Sequence, residues 1–134
     1  MAFELNSELK AQLIKMAEEA YENSYSPYSN FAVGAAVLTS DGKIYTGTNV
    51  ENISFGLSNC AERSAIFNAI SDNGTLQIQA IAIANKKGLA CSPCGACRQV
   101  INEFGPEATV IYQGSNGYQD TTMNKLLPGP FDEI

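Results

Sequence analysis

Apolar and polar positions alternate along the chain in segments of distinct period. From Ser7 to Glu22 apolar residues recur at helical spacing, with Leu9, Leu13, Met16, Ala17 and Ala20 on one stripe. This predicts an amphipathic helix that Ser7 can cap. Residues 23–30, rich in Ser, Tyr and Pro, break the period and read as a loop. Phe31 to Thr39 is apolar and β-capable, Asp41-Gly42 is a hairpin turn, and Lys43 to Thr48 alternates as a second strand. The helical period returns from Ala61 to Ser71 and stops near Asn73-Gly74. Ile78 to Ala84 is a continuous apolar run, the pattern of a strand buried on both faces. Gly95 to Phe104 predicts a third helix closed by Gly105-Pro106, and Thr109 to Tyr112 a short strand. A weaker strand is expected near Tyr118, and Thr122 to Leu127 suits one or two helical turns before Pro128-Gly129-Pro130.

The resulting order, α-β-β-α-β-α-β with further β and α after it, implies a layered α/β domain around a mixed sheet. With 134 residues and no internal repeat, low-complexity tract or linker, one domain over 1–134 is expected. A chain of this size buries roughly 68% of its unfolded surface, enough for a core without staples.

Composition narrows the partners. Hydrophobic content of 45% with mixed charges describes a globular chain. No apolar run approaches the ~18 residues of a membrane span and no charged-then-apolar leader is present, so no membrane partner and a cytoplasmic location are expected. The net charge of -6 disfavours phosphate backbones, and the only arginines, Arg63 and Arg98, each directly follow a cysteine-bearing motif. No basic patch is left for nucleic acid. A small, uncharged or weakly charged substrate is expected instead.

The chemistry lies with the cysteines. Four in the chain are few for a disulfide scaffold, and their clustering suits a metal. There is no histidine, so a catalytic zinc would be held largely by thiolate. Zinc binds Cys sulfur at ~2.3 Å in tetrahedral geometry, and catalytic sites leave the fourth position to water. Cys94 and Cys97 at the start of a helix share one face, and Cys60 opens the preceding helix. Two helix N-termini then aim partial positive charge at one thiolate cluster and lower the thiol pKa values. Three thiolates outweigh Zn²⁺ by one negative charge, which weakens the acidification of its water. Arg63 could offset this by donating to a ligand sulfur; otherwise it is a solvated helix residue. Glu62 alone would read as a first-turn glutamate favoured by the helix dipole. Its place next to Ala61, one residue removed from Cys60, points to proton transfer instead.

Cys60-Ala61-Glu62 followed by Pro93-Cys94-Gly95-Ala96-Cys97 is the all-cysteine form of a known signature, that of the zinc deaminases, in which a non-ligand glutamate moves protons. Cys91 leaves an alternative open. Cys91, Cys94, Cys97 and Cys60 could form a closed Cys₄ zinc site or an iron–sulfur cluster, and thus an interaction module. Against it, Ala90-Cys91-Ser92 reads as the continuation of an apolar strand, with Cys91 a small buried residue.

Further motifs extend the match: Ser26-Pro27-Tyr28-Ser29-Asn30-Phe31, Val33-Gly34-Ala35-Ala36, Asn49-Val50-Glu51-Asn52, Ser92-Pro93 before Cys94, Arg98-Gln99 after Cys97, Leu126-Leu127-Pro128-Gly129 and Phe131. In this order, from Ala20 to Phe131, the chain resembles the small, homotetrameric cytidine deaminases. The resemblance implies a three-layer α/β/α sandwich with a mixed, about five-stranded sheet. It implies zinc-dependent hydrolysis of cytidine and deoxycytidine to uridine and deoxyuridine with release of ammonia, in pyrimidine salvage. Cys60, Cys94 and Cys97 are then the ligands of one zinc per subunit, Glu62 the proton shuttle and Arg63 their supporting cation. Phe31 would pack against the pyrimidine, Asn49 and Glu51 bond the ribose hydroxyls, the Ala61 N–H meet the 2-oxo group and the Ser92 carbonyl the 4-amino group. Phe55 and Phe131 fall where neighbouring subunits complete the pocket of a shared-site homotetramer. Plainer readings stand beside these: Phe31 as ordinary core, Asn49 and Glu51 as a polar strand end, Phe131 as a tail aromatic docked on its own subunit. Many relatives carry tyrosine where this chain has Phe55, which bears on fine substrate preference. Blasticidin-S deaminases share the metal motif and fold; Glu51, in a ribose-binding position, favours a nucleoside. An enzyme editing RNA or DNA is disfavoured by charge.

Overall fold

Ser7–Tyr21 forms helix α1 in a computed structural model that describes residues 4–134. Its cap is Asn6, whose side chain accepts from the Leu9 N–H at 2.8 Å, so the cap lies one residue before the Ser7 expected from sequence. Asn is as good an N-cap as Ser, and Ser7 simply becomes the first helical residue. Strands β1 (Val33–Thr39) and β2 (Ile44–Thr48) form a hairpin with Leu38 opposite Ile44. A 3₁₀ turn over Phe55–Leu57 precedes α2 (Ala61–Asn73), which ends at Gly74 with φ 80°. Then follow β3 (Ile78–Asn85), α3 (Gly95–Phe104), β4 (Thr109–Gly114), β5 (Gly117–Thr122) and the single turn α4 (Met123–Leu126). The sheet order is β2-β1-β3-β4-β5. Only β3 and β4, joined through α3, run parallel; the other neighbours are antiparallel. The sheet is therefore mixed and five-stranded.

Two core clusters flank it and make three layers. On one face Leu13 and Ala17 of α1 pack on Ala36, Leu38, Ala80, Ala82 and Ala84. On the other, Ala61, Ala65 and Ile66 of α2 and Ile101 of α3 pack on Val37, Ile81, Ile83 and Val110, with Met123 of α4. Burial of β3 on both faces explains its unbroken apolar run. Its alternation is in size: alanines face α1 and isoleucines face α2 and α3, so α1 lies close to the sheet.

Two glycines show how close the helices come. A Cβ on Gly34 would stand 2.0 Å from the Ala17 carbonyl oxygen, and one on Gly47 2.3 Å from the Ala65 nitrogen. Gly47 thus lets the backbone of α2 rest on β2, which sets the position of the first turn of α2 over the sheet. A larger residue there would have to displace α2, at a typical overpacking cost of about 1–3 kcal/mol.

Two further expectations are corrected. The first strand begins at Val33, not Phe31. Cys91 does not continue a strand end: β3 stops at Asn85, and the Asn85 side chain bonds both the Leu89 N–H (3.0 Å) and the Leu89 carbonyl (2.8 Å). This curls the chain back, so Cys91 meets Gln113 in an isolated antiparallel bridge and is half-buried.

Candidate active site

Cysteines occupy the N-cap positions of both α2 and α3. Cys60 (φ -79°, ψ 156°) and Cys94 (φ -68°, ψ 169°) are extended, and neither side chain caps its own helix. A thiol caps poorly, so both sulfurs remain available to another partner. Cys97 lies one turn into α3 and is fully buried. The three sulfurs lie within 4.8 Å of one another. Thiolates ~2.3 Å from a shared tetrahedral zinc stand ~3.8 Å apart, so this donor set fits the ion. Cys91 lines the same cavity but stands outside the sulfur cluster, which argues against a four-cysteine site.

Charge around the cluster favours one thiolate, at Cys60. The Arg63 Nη2 donates to Cys60 Sγ at 3.2 Å. The Cys60 thiol is held down to about 5, foremost by a hydrogen bond from Cys97 and further by Arg63. Cys97, the donor of that bond and buried, is pushed well up. Arg63 is raised in turn, chiefly by Cys60. Its buried Nε has no hydrogen-bond partner among the described residues.

Glu62, the second residue of α2, is 5% exposed. Burial pushes its carboxyl up to about 7, and the Cys60 thiolate adds to that rise. A carboxyl with a pKa this close to neutrality can both take and give a proton.

Glu62, Cys60 and Cys94 open into a cavity of about 500 Å³. Phe31, Asn49, Glu51, Ala61 and Ser92 line it as well. By position, Ala61 offers the first N–H of α2, which has no partner within the helix. Phe55 and Phe131 are not among the lining residues. Phe55 borders an adjoining hollow of about 280 Å³ and meets Tyr28 edge-on, ring centroids 6.1 Å apart. The Phe131 backbone is pinned to Gln99, accepting from Nε2 at 2.8 Å and donating to Oε1 at 3.2 Å. Both residues nonetheless stand out from the chain, 74% and 73% exposed.

At the end away from the sulfurs, the polar side chains already have work within the chain. Asn49 donates to the Phe31 carbonyl at 2.7 Å and accepts from the Val33 N–H at 3.0 Å and from the Ser24 hydroxyl. Glu51 accepts from the Tyr28 and Ser29 N–H groups at 3.0 and 3.1 Å and from the Ser29 hydroxyl. The Ser29 hydroxyl is the main reason the Glu51 carboxyl lies below the usual range.

Three side chains had no assigned task from sequence. Ser29 lies inside the Ser26–Phe31 motif, which marks the loop but not its bond to Glu51, 22 residues on. Arg98 forks to the Pro93 carbonyl (2.7 Å), the Leu126 carbonyl (2.9 Å) and the Ser92 hydroxyl (3.2 Å). It thereby holds the turn before Cys94 from behind and ties it to α4, while Gln99 beside it holds the tail. Their signal was adjacency to Cys97, which marks a neighbourhood but no partner.

Residues 7–113 match the family model for the cytidine and deoxycytidylate deaminase zinc-binding region. The chain is 47% identical over 124 residues to a cytidine deaminase of Halalkalibacterium halodurans, covering 91% of this chain and 93% of that one. Its fold superimposes on the crystal structure of cytidine deaminase from Burkholderia pseudomallei with a TM-score of 0.83, at 44% identity over 90% of this chain and 98% of that one. The crystal structure of cytidine deaminase from Mycobacterium tuberculosis gives a TM-score of 0.80 at 37% identity, covering 92% and 98%.

Proposed function

The chain belongs to the cytidine and deoxycytidylate deaminase family that shares this zinc-binding region, and from that premise we propose that it hydrolyses cytidine and deoxycytidine to uridine and deoxyuridine with release of ammonia. The observation that carries this reading is a buried Glu62 in the same cavity as two of three clustered thiols. Cys60, Cys94 and Cys97 would hold one zinc per subunit, which when bound supplies a Lewis acid that lowers the pKa of water toward neutrality.

The residues of the chain do the rest. Glu62 takes a proton from the attacking water at a carboxylate oxygen and delivers it to N3 of the pyrimidine, making C4 electrophilic. As the new C–O bond at C4 forms and the C4–N bond breaks, Glu62 carries the second water proton to the departing amine. Water and the nucleoside thus give the 4-oxo product and ammonia, with Glu62 returned to its starting state. Arg63 offsets the excess charge of three thiolates. The Ala61 N–H is placed to meet the 2-oxo group, the Ser92 carbonyl the 4-amino group, and Phe31 the face of the ring. Glu51 and the one Asn49 N–H left over from its internal bonds face the sugar hydroxyls.

The working unit is a homotetramer of single-domain chains (1–134) with shared sites. Support comes from Ile53, Phe55, Leu57 and Phe131, all more than 70% exposed and uncovered by their own chain. Among the described residues no helix is long and apolar enough to cross a membrane; the cytoplasm, where cysteines stay reduced and able to hold a metal, suits a chain whose four cysteines form no disulfide.

The test is ammonia release with cytidine, deoxycytidine, cytosine and blasticidin S, paired with elemental analysis. Turnover of both nucleosides by a colourless protein with one zinc per chain is expected. A preference for cytosine or blasticidin S would overturn the substrate assignment, and a brown, iron-containing protein would overturn the site itself.

A further inference from the structure

The loop between α1 and β1 contains the single described non-glycine residue with positive φ, Asn30 at 56°. Asn is among the few side-chain-bearing residues that take this left-handed conformation readily. Here it turns the chain so that the Phe31 N–H reaches back to the Ser29 hydroxyl oxygen at 3.0 Å. That same hydroxyl donates to Glu51 Oε2, while Glu51 Oε1 receives the Tyr28 and Ser29 N–H groups. A serine hydroxyl has one hydrogen to give. Ser29 therefore links Phe31 to Glu51 in one continuous chain of donors: Phe31 N–H to Ser29 Oγ–H to the carboxylate. Ser29, Phe31 and Glu51 all line the catalytic cavity.

We propose that Ser29 is a positioning residue that couples sugar recognition at Glu51 to the placement of Phe31 against the base. The proposal rests on the reading of Glu51 as a sugar contact. An ionised carboxylate has about four acceptor sites, and the loop fills three of them. A sugar hydroxyl that takes the remaining site fixes the orientation of the carboxylate. Ser29 passes that constraint to the Phe31 amide, while Asn49 holds the Phe31 carbonyl from the other side. Binding at the sugar end then firms the wall at the base end. Without the Ser29 hydroxyl, the sugar hydroxyls would still meet Glu51 but would no longer order Phe31.

The experiment compares kcat/KM for cytidine and for 2′,3′-dideoxycytidine in the zinc-loaded wild type, Ser29→Ala and Ser29→Thr. The wild type should favour cytidine. Ser29→Ala should shrink that preference by about tenfold, the scale of one hydrogen bond to a charged group. Zinc content and melting temperature, both measured on the same samples, should stay near wild type. Ser29→Thr, which keeps the hydroxyl, should restore the preference. If Ser29→Ala does not fold, Ser29→Cys serves in its place, because a thiol is only a weak donor. An unchanged preference, whether both substrates lose rate equally or neither does, overturns the coupling and leaves Ser29 a loop-packing residue. A wild-type preference near one overturns the sugar contact at Glu51, and the Ser29 proposal with it, so the two failures are told apart by which protein shows them.

Discussion

At one end of the cavity Cys60, Glu62 and Cys94 ride on the starts of two packed helices, while at the other Glu51 and the loop around Phe31 are held by side-chain bonds spanning 22 and 23 residues. The helix starts are rigid because α2 rests on β2 at Gly47 and α3 drives Ile101 into the core. The loop is exposed over 27–30 and owes its shape to Glu51, Asn49 and Ser29. On the proposed reading, bond making falls to parts that the core holds still, and recognition to parts that hydrogen bonds hold. Damage at the two ends should accordingly differ in kind. At the helix end it should appear in kcat or in metal content, and at the loop end in KM and in discrimination between substrates.

The largest effect should come from Glu62→Gln. The variant keeps the shape and the helix start, so it should fold and retain zinc, yet it cannot accept a proton from water. A general acid–base group is typically worth 10²–10⁴-fold. With Glu62 serving several transfers, kcat should fall by about that range or more, as read by ammonia release from zinc-quantified protein. Near-normal kcat in such a preparation would break the assignment of chemistry to the helix end.

Next is the metal itself. Cys94→Ser should lose zinc, and activity with it, whereas Cys91→Ser should keep one zinc per chain by elemental analysis. Both cysteines line the cavity, but only Cys94 belongs to the sulfur cluster. Equal loss of zinc in the two variants would restore the four-cysteine site. Arg98→Ala sharpens the same point from behind: it should weaken zinc retention without touching a ligand, because it frees the turn that carries Cys94. Zinc release to a competing chelator, faster than in Arg98→Lys, is the expected readout.

How much of this could be read from the chain alone follows the same division. Helix starts and the metal motif are encoded in spacings of a few residues, so α3 was legible to its bounds and the cysteine cluster in full. The N-cap was misplaced by one residue because Asn6 and Ser7 are both good caps and only geometry chooses between them. The apolar pattern puts Cys91 at a strand end because sequence does not show the Asn85 side chain closing on Leu89. The internal bonds of Glu51 and Asn49 were invisible because their partners lie far along the chain. A polar residue at a strand end looks the same whether it serves a ligand, its own loop or both.

Glu51→Ala tests whether it serves both. A hydrogen bond to a charged group is worth about 1.5–3 kcal/mol. Loss of the sugar contact should therefore raise KM for cytidine by about tenfold or more, with the fold retained. Loss of three loop bonds adds a second signature, faster amide exchange confined to residues 26–31 in the free protein. A raised KM with unchanged exchange would mean that Glu51 serves the ligand alone and that the loop stands without it.

The smallest single effect is expected from Phe131→Ala, and it decides whether the loop end is complete in one chain. The Phe131 backbone is clamped by Gln99, yet the residue is 73% exposed and does not line its own cavity. On the proposed shared-site reading, a ring positioned by two backbone bonds and left uncovered would serve a neighbouring subunit. Stacking over a neighbour's substrate contributes about 0.5–1.5 kcal/mol beyond area burial, so Phe131→Ala should lower kcat/KM only about two- to tenfold. The alternative, a ring that folds onto its own chain in solution, predicts a similar loss, so the single variant does not separate them. Complementation does. Zinc-loaded Glu62→Gln subunits are dissociated, mixed with Phe131→Ala subunits and reassembled. If sites are shared, some pockets combine an intact Glu62 with an intact Phe131 from another subunit. Those pockets should turn over at the wild-type rate, raising kcat/KM per Glu62-bearing subunit above that of Phe131→Ala alone. In a self-contained chain every active subunit still lacks its own Phe131, so that value cannot rise. No gain on mixing, or a fully active monomer in light scattering at assay concentration, would place the whole pocket within one chain.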